Sequence, residues 1–202
     1  VAAAAQGGAV CIFADKYPEN TTVIDESVYR RASEKGLRLY VEFPSYVPGV
    51  TFDTPRRTHY ERAVVANDWF SPELEPMRIL GLNDCTFLPV VSPHELDASL
   101  VVAKVAGLDE AVFGLENMET FPILFTTRHG SESIIVCTSN LSGCVTGRYA
   151  PSNAWGKVWT KIFQELQPGK EIARLSERKS PSPTEQTEAS RPWRSQPLLR
   201  TI

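Results

Sequence analysis

Residues 131–166 read SESIIVCTSNLSGCVTGRYAPSNAWGKVWTKIFQEL, the clearest strand-to-helix pattern in the chain. The β-branched apolar run 134–136 predicts a buried strand, and polar side chains follow it at 138–140. Apolar residues then recur at the spacing of one helical face: Trp155, Val158, Trp159, Ile162, Phe163 and Leu166. Open α/β sheets form their sites at the carboxyl ends of such strands, so this order also indicates where a site would lie.

The composition is that of one globular domain with a hydrophobic core. The chain has 202 residues, of which 42% are hydrophobic and 22% charged. Its formal net charge of −3 argues against nucleic acid or an anionic membrane as the main partner, since both attract a basic surface. No apolar run approaches the roughly 18 residues that a membrane-spanning helix needs. The start, VAAAAQ, fits either the end of a secretory signal peptide or a linker, so the compartment stays unknown, with secretion or a periplasmic location as one alternative.

The chain divides near Pro168. Residues 8–167 carry the apolar runs of an α/β domain, whereas residues 168–202 are rich in Ser, Pro, Glu and Arg and lack periodicity. Such a segment buries too little apolar surface to offset its ordering entropy, so we expect a disordered tail or linker there. Three apolar residues within it form a candidate docking motif: Trp193, Leu198 and Leu199.

Apolar runs predict the other elements. Strands are predicted at 9–14, 37–43, 62–68, 78–84, 100–107, 110–114, 122–127 and 132–138. A helix is predicted over residues 26–35, with Asp25 as its cap and Gly36 after its end. Alternating strands and connectors in the first half predict parallel neighbours, while the later turns predict antiparallel pairs. The expected fold is α/β and flavodoxin-like, with three layers and a mostly parallel central sheet plus added antiparallel strands.

Polar residues follow several predicted strands and would converge on one edge of a parallel sheet. Carboxylates and amides bind sugar hydroxyl groups, and tyrosine rings stack on sugar faces. The candidate ligand-binding residues are Asp15, Glu42, Tyr46, Asp68, Asn83, Asp84, Asn140, Arg148 and Tyr149. For a glycosidase, Glu42 and Asp84 are the candidate acid pair, which would have to lie about 5–9.5 Å apart. The alternative is that the Asn–Asp dipeptides simply cap turns.

Other reactive or charged residues give weaker signals. Arg56 and Arg57 lie beside His59 and Tyr60 in the proline-rich connector 44–61, where they form either a lid over an acidic ligand or a solvated loop. The four cysteines lack C-x-x-C spacing and the three histidines are scattered. No metal site and no cofactor is therefore expected.

Four phrases resemble the class I glutamine amidotransferase-like fold, in particular the ThuA-like proteins and comparable domains attached to bacterial carbohydrate-active enzymes. They are GLRLYVEFPSYVPG (36–49), ERAVVANDWF (61–70), MRILGLNDCTFLPV (77–90), and PILFTT with NLSGCVTGRYAPSNAWGKVW (122–159). The resemblance covers about residues 8–167. It implies an association with carbohydrate processing, with a saccharide as ligand and other domains of a larger carbohydrate-active enzyme as partners.

The chain departs from the enzymes of that family at their catalytic positions. Those enzymes place the nucleophile in a G-x-C-x-G elbow, whereas Cys144 stands in SGCVTG. Their later His-x-Glu pair is absent as well, because Glu95 directly follows His94 and a glycine follows His129. Glutamine hydrolysis is therefore not expected.

Three functions remain open at this point. The leading one is a non-catalytic accessory or sugar-binding domain associated with carbohydrate processing. The second is an autonomous hydrolase that acts on a sugar derivative through strand-end carboxylates. The third is a structural protein-interaction module. The sequence leaves undecided whether the protein is an enzyme.

Overall fold

The computed structural model describes residues 1–82, 84–91, 96–130, 132–146 and 152–170. The strands in this part of the chain are Ala9–Ile12 (β1), Arg38–Glu42 (β2), Arg56–Arg57 (β3), Arg62–Val65 (β4), Ile79–Leu80 (β5), Thr86–Phe87 (β6), Ala98–Ala103 (β7), Thr120–His129 (β8) and Glu132–Cys137 (β9). The α-helices are Glu26–Glu34 (α1) and Ser152–Leu166 (α2), and short 3₁₀ turns cover Asp68–Phe70 and Leu141–Thr146.

Seven of the described strands form one sheet, in the order β1-β2-β9-β8-β7-β4-β5, while β3 and β6 form a separate ribbon. The pairs β1–β2 and β2–β9 are parallel, and the other four neighbouring pairs are antiparallel. The α/β class is therefore confirmed. The expectation of a mostly parallel sheet of the flavodoxin type is wrong, because parallel pairing is limited to one side of this mixed sheet.

The distribution of helices explains where parallel pairing stops. A parallel neighbour requires a crossover connection, and α1 provides one between β1 and β2. The described connections among β4, β5, β7 and β8 contain no α-helix, so these strands pair in the antiparallel direction. The strand predicted at 110–114 is also wrong: Glu110 makes a single bridge to Arg78, and the residues after it form turns.

The first helix follows its sequence signals closely. Asp25 caps α1 by accepting a 2.8 Å hydrogen bond from the Ser27 backbone N–H. Gly36 follows the helix with φ of +60°, a conformation that glycine adopts without strain. The helix buries Tyr29 and Ala32 against one face of the sheet, where a cluster of apolar strand residues lies: Leu39, Val41, Phe125, Ile134 and Val136.

The second helix covers the opposite face. The predicted stripe on α2 is confirmed, with Trp155, Val158 and Ile162 fully buried. The Trp155 indole N–H also donates a 3.2 Å hydrogen bond to the Gly81 carbonyl, which joins the helix to the segment after β5. The helix packs on the strand residues that alternate with those facing α1, such as Tyr40 between Leu39 and Val41. The parallel side of the sheet therefore lies between two helices. The expected three layers are present there.

The other half of the α1 face has a different cover. Val64 and Val101 of β4 and β7 pack with apolar residues of the loop 104–119, such as Val105 and Ala111, rather than with an α-helix. The predicted hairpin between β8 and β9 is confirmed by the pairing of His129 with Glu132. None of the helices in the described residues is both long and apolar enough to cross a membrane. The predicted tail lies mostly outside the described residues, which end at 170.

Candidate functional site

The carboxyl edge of the parallel strands is organised around one buried carboxylate. Glu42 ends β2 and is fully buried, as the neighbour of β1 on one side and β9 on the other. Its Oε1 accepts hydrogen bonds from the Tyr40 hydroxyl at 2.8 Å and the Ser142 backbone N–H at 2.7 Å. Its Oε2 accepts from the Ala14 backbone N–H at 3.3 Å and the Ser142 hydroxyl at 2.9 Å. Each oxygen therefore receives one backbone N–H and one hydroxyl group.

This arrangement connects three segments of the chain. Ala14 follows β1, and Ser142 lies in the 3₁₀ turn after β9. The Ser142 hydroxyl also lies 2.7 Å from Oδ1 of Asn140, which in turn accepts the Gly143 backbone N–H at 2.9 Å. The structure thus brings two predicted site residues, Glu42 and Asn140, to opposite sides of one serine. Glu42 has no solvent-exposed surface with which to meet a ligand, so its contacts are those of a structural carboxylate.

A second buried polar group lies next to this edge. The Cys85 thiol contacts the Ser139 hydroxyl, and the Tyr17 hydroxyl donates to the Thr86 carbonyl at 2.9 Å. Burial raises the pKa of the Cys85 thiol, although its hydrogen bonds to Ser139 and Tyr17 act in the opposite direction. Burial likewise raises the pKa of the Tyr17 hydroxyl. These groups stay neutral at physiological pH, which argues against a thiolate nucleophile here.

An open cleft lies farther along the same edge, on the antiparallel side of the sheet. We call it the Tyr60 cleft, and its volume is about 470 Å³. It is formed by the segment before β4, the segment around and after β5, and the loop that follows β7. Its lining residues are Thr58, His59, Tyr60, Glu61, Arg62, Ile79, Gly81, Leu82, Asp84, Leu108 and Asp109.

Glu61 fixes one wall of the Tyr60 cleft. Its side chain is 3% exposed, and its Oε2 accepts the backbone N–H groups of His59 at 2.7 Å and Tyr60 at 3.2 Å. Its Oε1 lies 3.2 Å from the Arg56 guanidinium and 3.9 Å from the Lys104 ammonium. Burial by itself raises the pKa of Glu61, but these backbone hydrogen bonds, together with Lys104, more than offset burial and leave the pKa below its ordinary value.

Two further contacts hold the cleft in shape. The Arg62 guanidinium donates to the carbonyl of Gly107 at 2.7 Å and to that of Val105, which ties β4 to the loop after β7. Gly107 has φ of +122°, and a Cβ there would lie 1.9 Å from the Glu110 carbonyl oxygen, so the turn requires glycine. Contacts within the protein therefore fix the shape of this wall without a ligand.

The mouth of the Tyr60 cleft presents the groups that a polar ligand would meet. The Tyr60 ring is 85% exposed and Leu108 is 90% exposed. Asp84 is 76% exposed at its side chain and forms a 2.9 Å ion pair with Arg57. Asp109 lies on the same cleft and is exposed. An aromatic ring, an apolar side chain and two carboxylates thus line one opening, and the Arg57 guanidinium is paired with one of these carboxylates.

The predicted convergence of strand ends is correct for some residues and wrong for Asp68. Because β4 runs antiparallel to β7, its carboxyl end and Asp68 lie at the edge opposite to Glu42. Asp15, exposed, follows β1 near the Glu42 edge, and Tyr46 packs its ring against Tyr29 of α1. Three predicted residues lie outside the described part of the chain: Asn83, Arg148 and Tyr149.

The proposed acid pair of Glu42 and Asp84 is not supported by the contacts that the structure gives. Glu42 is enclosed by its four donors, while Asp84 is exposed and paired with Arg57. The arginine pair does not form a free cationic lid either, since Arg56 contacts Glu61 and lies 4.6 Å above the ring centroid of Phe121. No group of three or more His, Cys, Asp or Glu side chains in the described ranges could hold a metal ion.

Sequence reasoning missed Glu61 and Asp109. Glu61 stands in the polar phrase THYER, just before β4, where no strand end or spacing distinguishes it. Its contacts with backbone N–H groups two residues away or less form a local turn, which is visible only in the structure. The sequence around Asp109 carries no signal of a site, and its position on the cleft depends on the backbone hydrogen bond that its carbonyl accepts from Ile79.

Comparison with known proteins identifies no family for the chain. No family model matches it, and no curated protein matches it. Among solved structures, the chain is similar to the carbohydrate deacetylase Agd3, with a TM-score of 0.42 and 9% sequence identity. The match covers 65% of this chain and 20% of that protein, so the chain spans about a fifth of the deacetylase's length. A likeness of this size establishes neither a shared fold nor a shared activity.

Proposed function

We propose that this protein is a non-catalytic, saccharide-binding accessory domain and that its ligand lies in the Tyr60 cleft. The observation that supports this proposal is the grouping of an exposed aromatic ring with carboxylates at the mouth of a preformed cleft. A volume of about 470 Å³ is in the range of small-ligand sites. The proposal keeps the leading function that the sequence favours and moves its site away from Glu42.

The chemistry of the cleft suits a polyhydroxylated ligand. The Tyr60 ring offers an apolar face on which the C–H face of a sugar ring stacks. The carboxylates of Asp84 and Asp109 accept hydrogen bonds from hydroxyl groups, and the Arg57 guanidinium donates them. Because Arg57 and Asp84 neutralise each other, the mouth carries no strong excess of positive charge, and a neutral saccharide is the ligand class that we favour.

The same contacts favour binding over catalysis. Hydrolysis of a glycoside requires one carboxylic acid that is protonated near neutral pH and a second carboxylate at a fixed distance. In the Tyr60 cleft, the lowered pKa of Glu61 keeps that carboxyl group ionised. Asp84 is exposed to solvent and forms an ion pair with Arg57, so its described contacts are not those of a glycosidase acid pair. The relation to glutamine amidotransferase-like domains, and the presence of partner domains, stay predictions.

Saccharide binding is the direct test. We would screen the full chain against a panel of neutral oligosaccharides and then measure the affinity of the best ligand by isothermal titration calorimetry. Replacement of Tyr60 by alanine removes the stacking ring, which is worth about 0.5–1.5 kcal/mol, and should weaken binding up to about tenfold. Asp84→Asn should also weaken binding, since the amide is a poorer acceptor than the carboxylate.

Matched control variants distinguish the cleft from the rest of the surface. Tyr46→Ala removes another exposed tyrosine, and Asp68→Asn alters an exposed carboxylate at the opposite edge of the sheet. Both variants should bind the saccharide as the unmodified chain does. Absence of binding across the panel, or equal losses in the controls, would refute the proposal. Measurable release of reducing sugar that depends on Asp84 would replace it with the hydrolase alternative.

A further inference from the structure

A second depression lies on the same face of the sheet as α1, over the half of that face that the helix does not cover. We call it the β7 groove; it has a volume of about 960 Å³ and is lined by residues of β7 and the start of β8, together with Ala66 and Asn67, which follow β4. Its apolar lining includes Met77, Leu96, Val101 and Leu115. The loop 104–119 covers only part of this half of the sheet face. Beside the loop, apolar side chains line an open groove.

The rim of the β7 groove is acidic and apolar. Asp97 and Glu116, both exposed, line it, and no lysine or arginine occurs among its described lining residues. Val112 and Phe113 directly precede its residue Gly114 and are 67% and 80% exposed. Two adjacent exposed apolar side chains beside a groove are unusual for a surface that only meets water. The surface is therefore complementary to a partner that carries both apolar and basic side chains.

Residues 191–202 of the same chain have that composition. They read RPWRSQPLLRTI, with three arginines and no acidic residue, and Trp193, Leu198 and Leu199 supply large apolar side chains. The rest of the tail does not match the groove as well, because residues 171–190 carry four glutamates against three basic residues and so lack a net positive charge. Charge complementarity thus selects the later part of the segment over the earlier part.

The course of α2 places this segment within reach. Trp155 at the start of α2 contacts Gly81, and Lys161 farther along lies 5.4 Å from the ring centroid of Trp69. Trp69 belongs to the 3₁₀ turn that Asn67 caps, and Asn67 also lines the β7 groove. The helix therefore runs toward the sheet edge at which the groove opens. Twenty residues separate Lys170 from Arg191, and a chain of that length can span at most about 66–72 Å.

We propose that residues 191–202 bind in the β7 groove of their own chain, with Trp193 against the apolar lining and the arginines near Asp97 and Glu116. The interaction is intramolecular, and it completes the cover of the half-face that lacks a helix. It does not depend on the proposed saccharide site, because the two depressions share no described lining residue.

Site-specific photo-cross-linking in the full chain tests this proposal. A photoreactive benzoylphenylalanine at position 193 should form cross-links within the monomer, and mass spectrometry should locate them at residues 96–98 and 112–116. Phe113→Asp should reduce their yield several-fold by placing a charge beside the apolar lining. Val23→Asp is the matched control, since Val23 is 87% exposed and lies away from the groove, near α1. Circular dichroism checks that each variant is folded.

A charge exchange provides the second arm. Arg194→Glu should lower the cross-linking yield, and the added substitution Glu116→Arg should restore part of it, because the exchanged pair is again complementary. Cross-links that spread over unrelated surfaces, or that ignore both groove variants, would overturn the proposal. Cross-links between two copies, which would increase with protein concentration, would overturn it as well by assigning the groove to self-association.

Discussion

The Glu42 carboxylate offers the sharpest test of the structure, through the substitution Glu42→Gln. Each carboxylate oxygen accepts one backbone N–H and one hydroxyl group. A glutamine amide has only one oxygen, so its NH₂ group must face one of the two pairs in either orientation. The hydroxyl of that pair can rotate and accept, but the backbone N–H cannot. One N–H, from Ala14 or Ser142, therefore loses its partner whichever way the amide turns.

The magnitude follows from that single lost partner. Leaving one buried donor unsatisfied costs about 1–3 kcal/mol, and the remaining bonds lose their charge-assisted strength. Because Ala14 and Ser142 are partly accessible to water, we expect a total loss of about 2 kcal/mol in the free energy of unfolding. Urea denaturation at pH 7, followed by tryptophan fluorescence, measures this difference.

Glu34→Gln is the matched control, since the Glu34 side chain is 64% exposed on α1 and its described ion pair is with Arg30 at 4.0 Å. That variant should differ from the unmodified protein by less than about 0.5 kcal/mol. If Glu42→Gln is as stable as Glu34→Gln, the reasoning is refuted, and Glu42 does not hold its three segments together. Saccharide binding at the Tyr60 cleft should survive Glu42→Gln in either case, provided that the variant is folded.

Three further predictions concern Glu61, Cys85 and Trp155. Glu61→Gln should destabilise the protein by about 1–3 kcal/mol at pH 7. Because the pKa of Glu61 in the folded protein lies below its ordinary value of 4.5, the difference in stability between the two proteins should fade as the pH drops through the folded pKa. A difference that grows in acid would contradict the lowered pKa of Glu61. Burial raises the pKa of Cys85, so a thiol reagent at pH 8 should modify Cys85 only when the protein unfolds. Mass spectrometry after timed labelling measures this. Rapid labelling of Cys85 in the folded chain would count against the burial of its thiol. Trp155→Ala should cost about 3–5 kcal/mol in thermal or urea unfolding, since the indole is fully buried and bonded to Gly81; a loss under about 1 kcal/mol would mean that α2 does not pack as described.

The helices could be predicted well from the sequence because their signals are local. The stripe on α2 depends on residues three and four apart, and Asp25 caps α1 through a contact two residues away. The direction of β4 could not be read in the same way. Its apolar run, RAVV, has the same character in a parallel or an antiparallel sheet. The deciding feature is that the described connections from β4 to β5 and from β5 to β7 contain no α-helix.

The candidate site was harder to predict for a related reason. Glu42 stands at the end of a strand. At such a position, the sequence does not distinguish a ligand-binding carboxylate from a structural one. Its donor Ser142 is separated from it by 100 residues, so only the folded chain reveals that the carboxylate is already satisfied. The Tyr60 cleft combines three segments that are distant in sequence, and no single motif marks it.

The order of the strands also has a consequence for how the molecule folds during synthesis. One parallel pair joins β2, made early, to β9, which emerges from the ribosome only after the other six strands of the sheet have appeared. The hairpin of β8 and β9 and the β4–β7 pair close shorter loops than the β2–β9 pair does, so both can form before β2 meets β9. We therefore expect β1 and β2 to pair first with each other, through the crossover that contains α1, and to join the rest of the sheet only when β9 is complete.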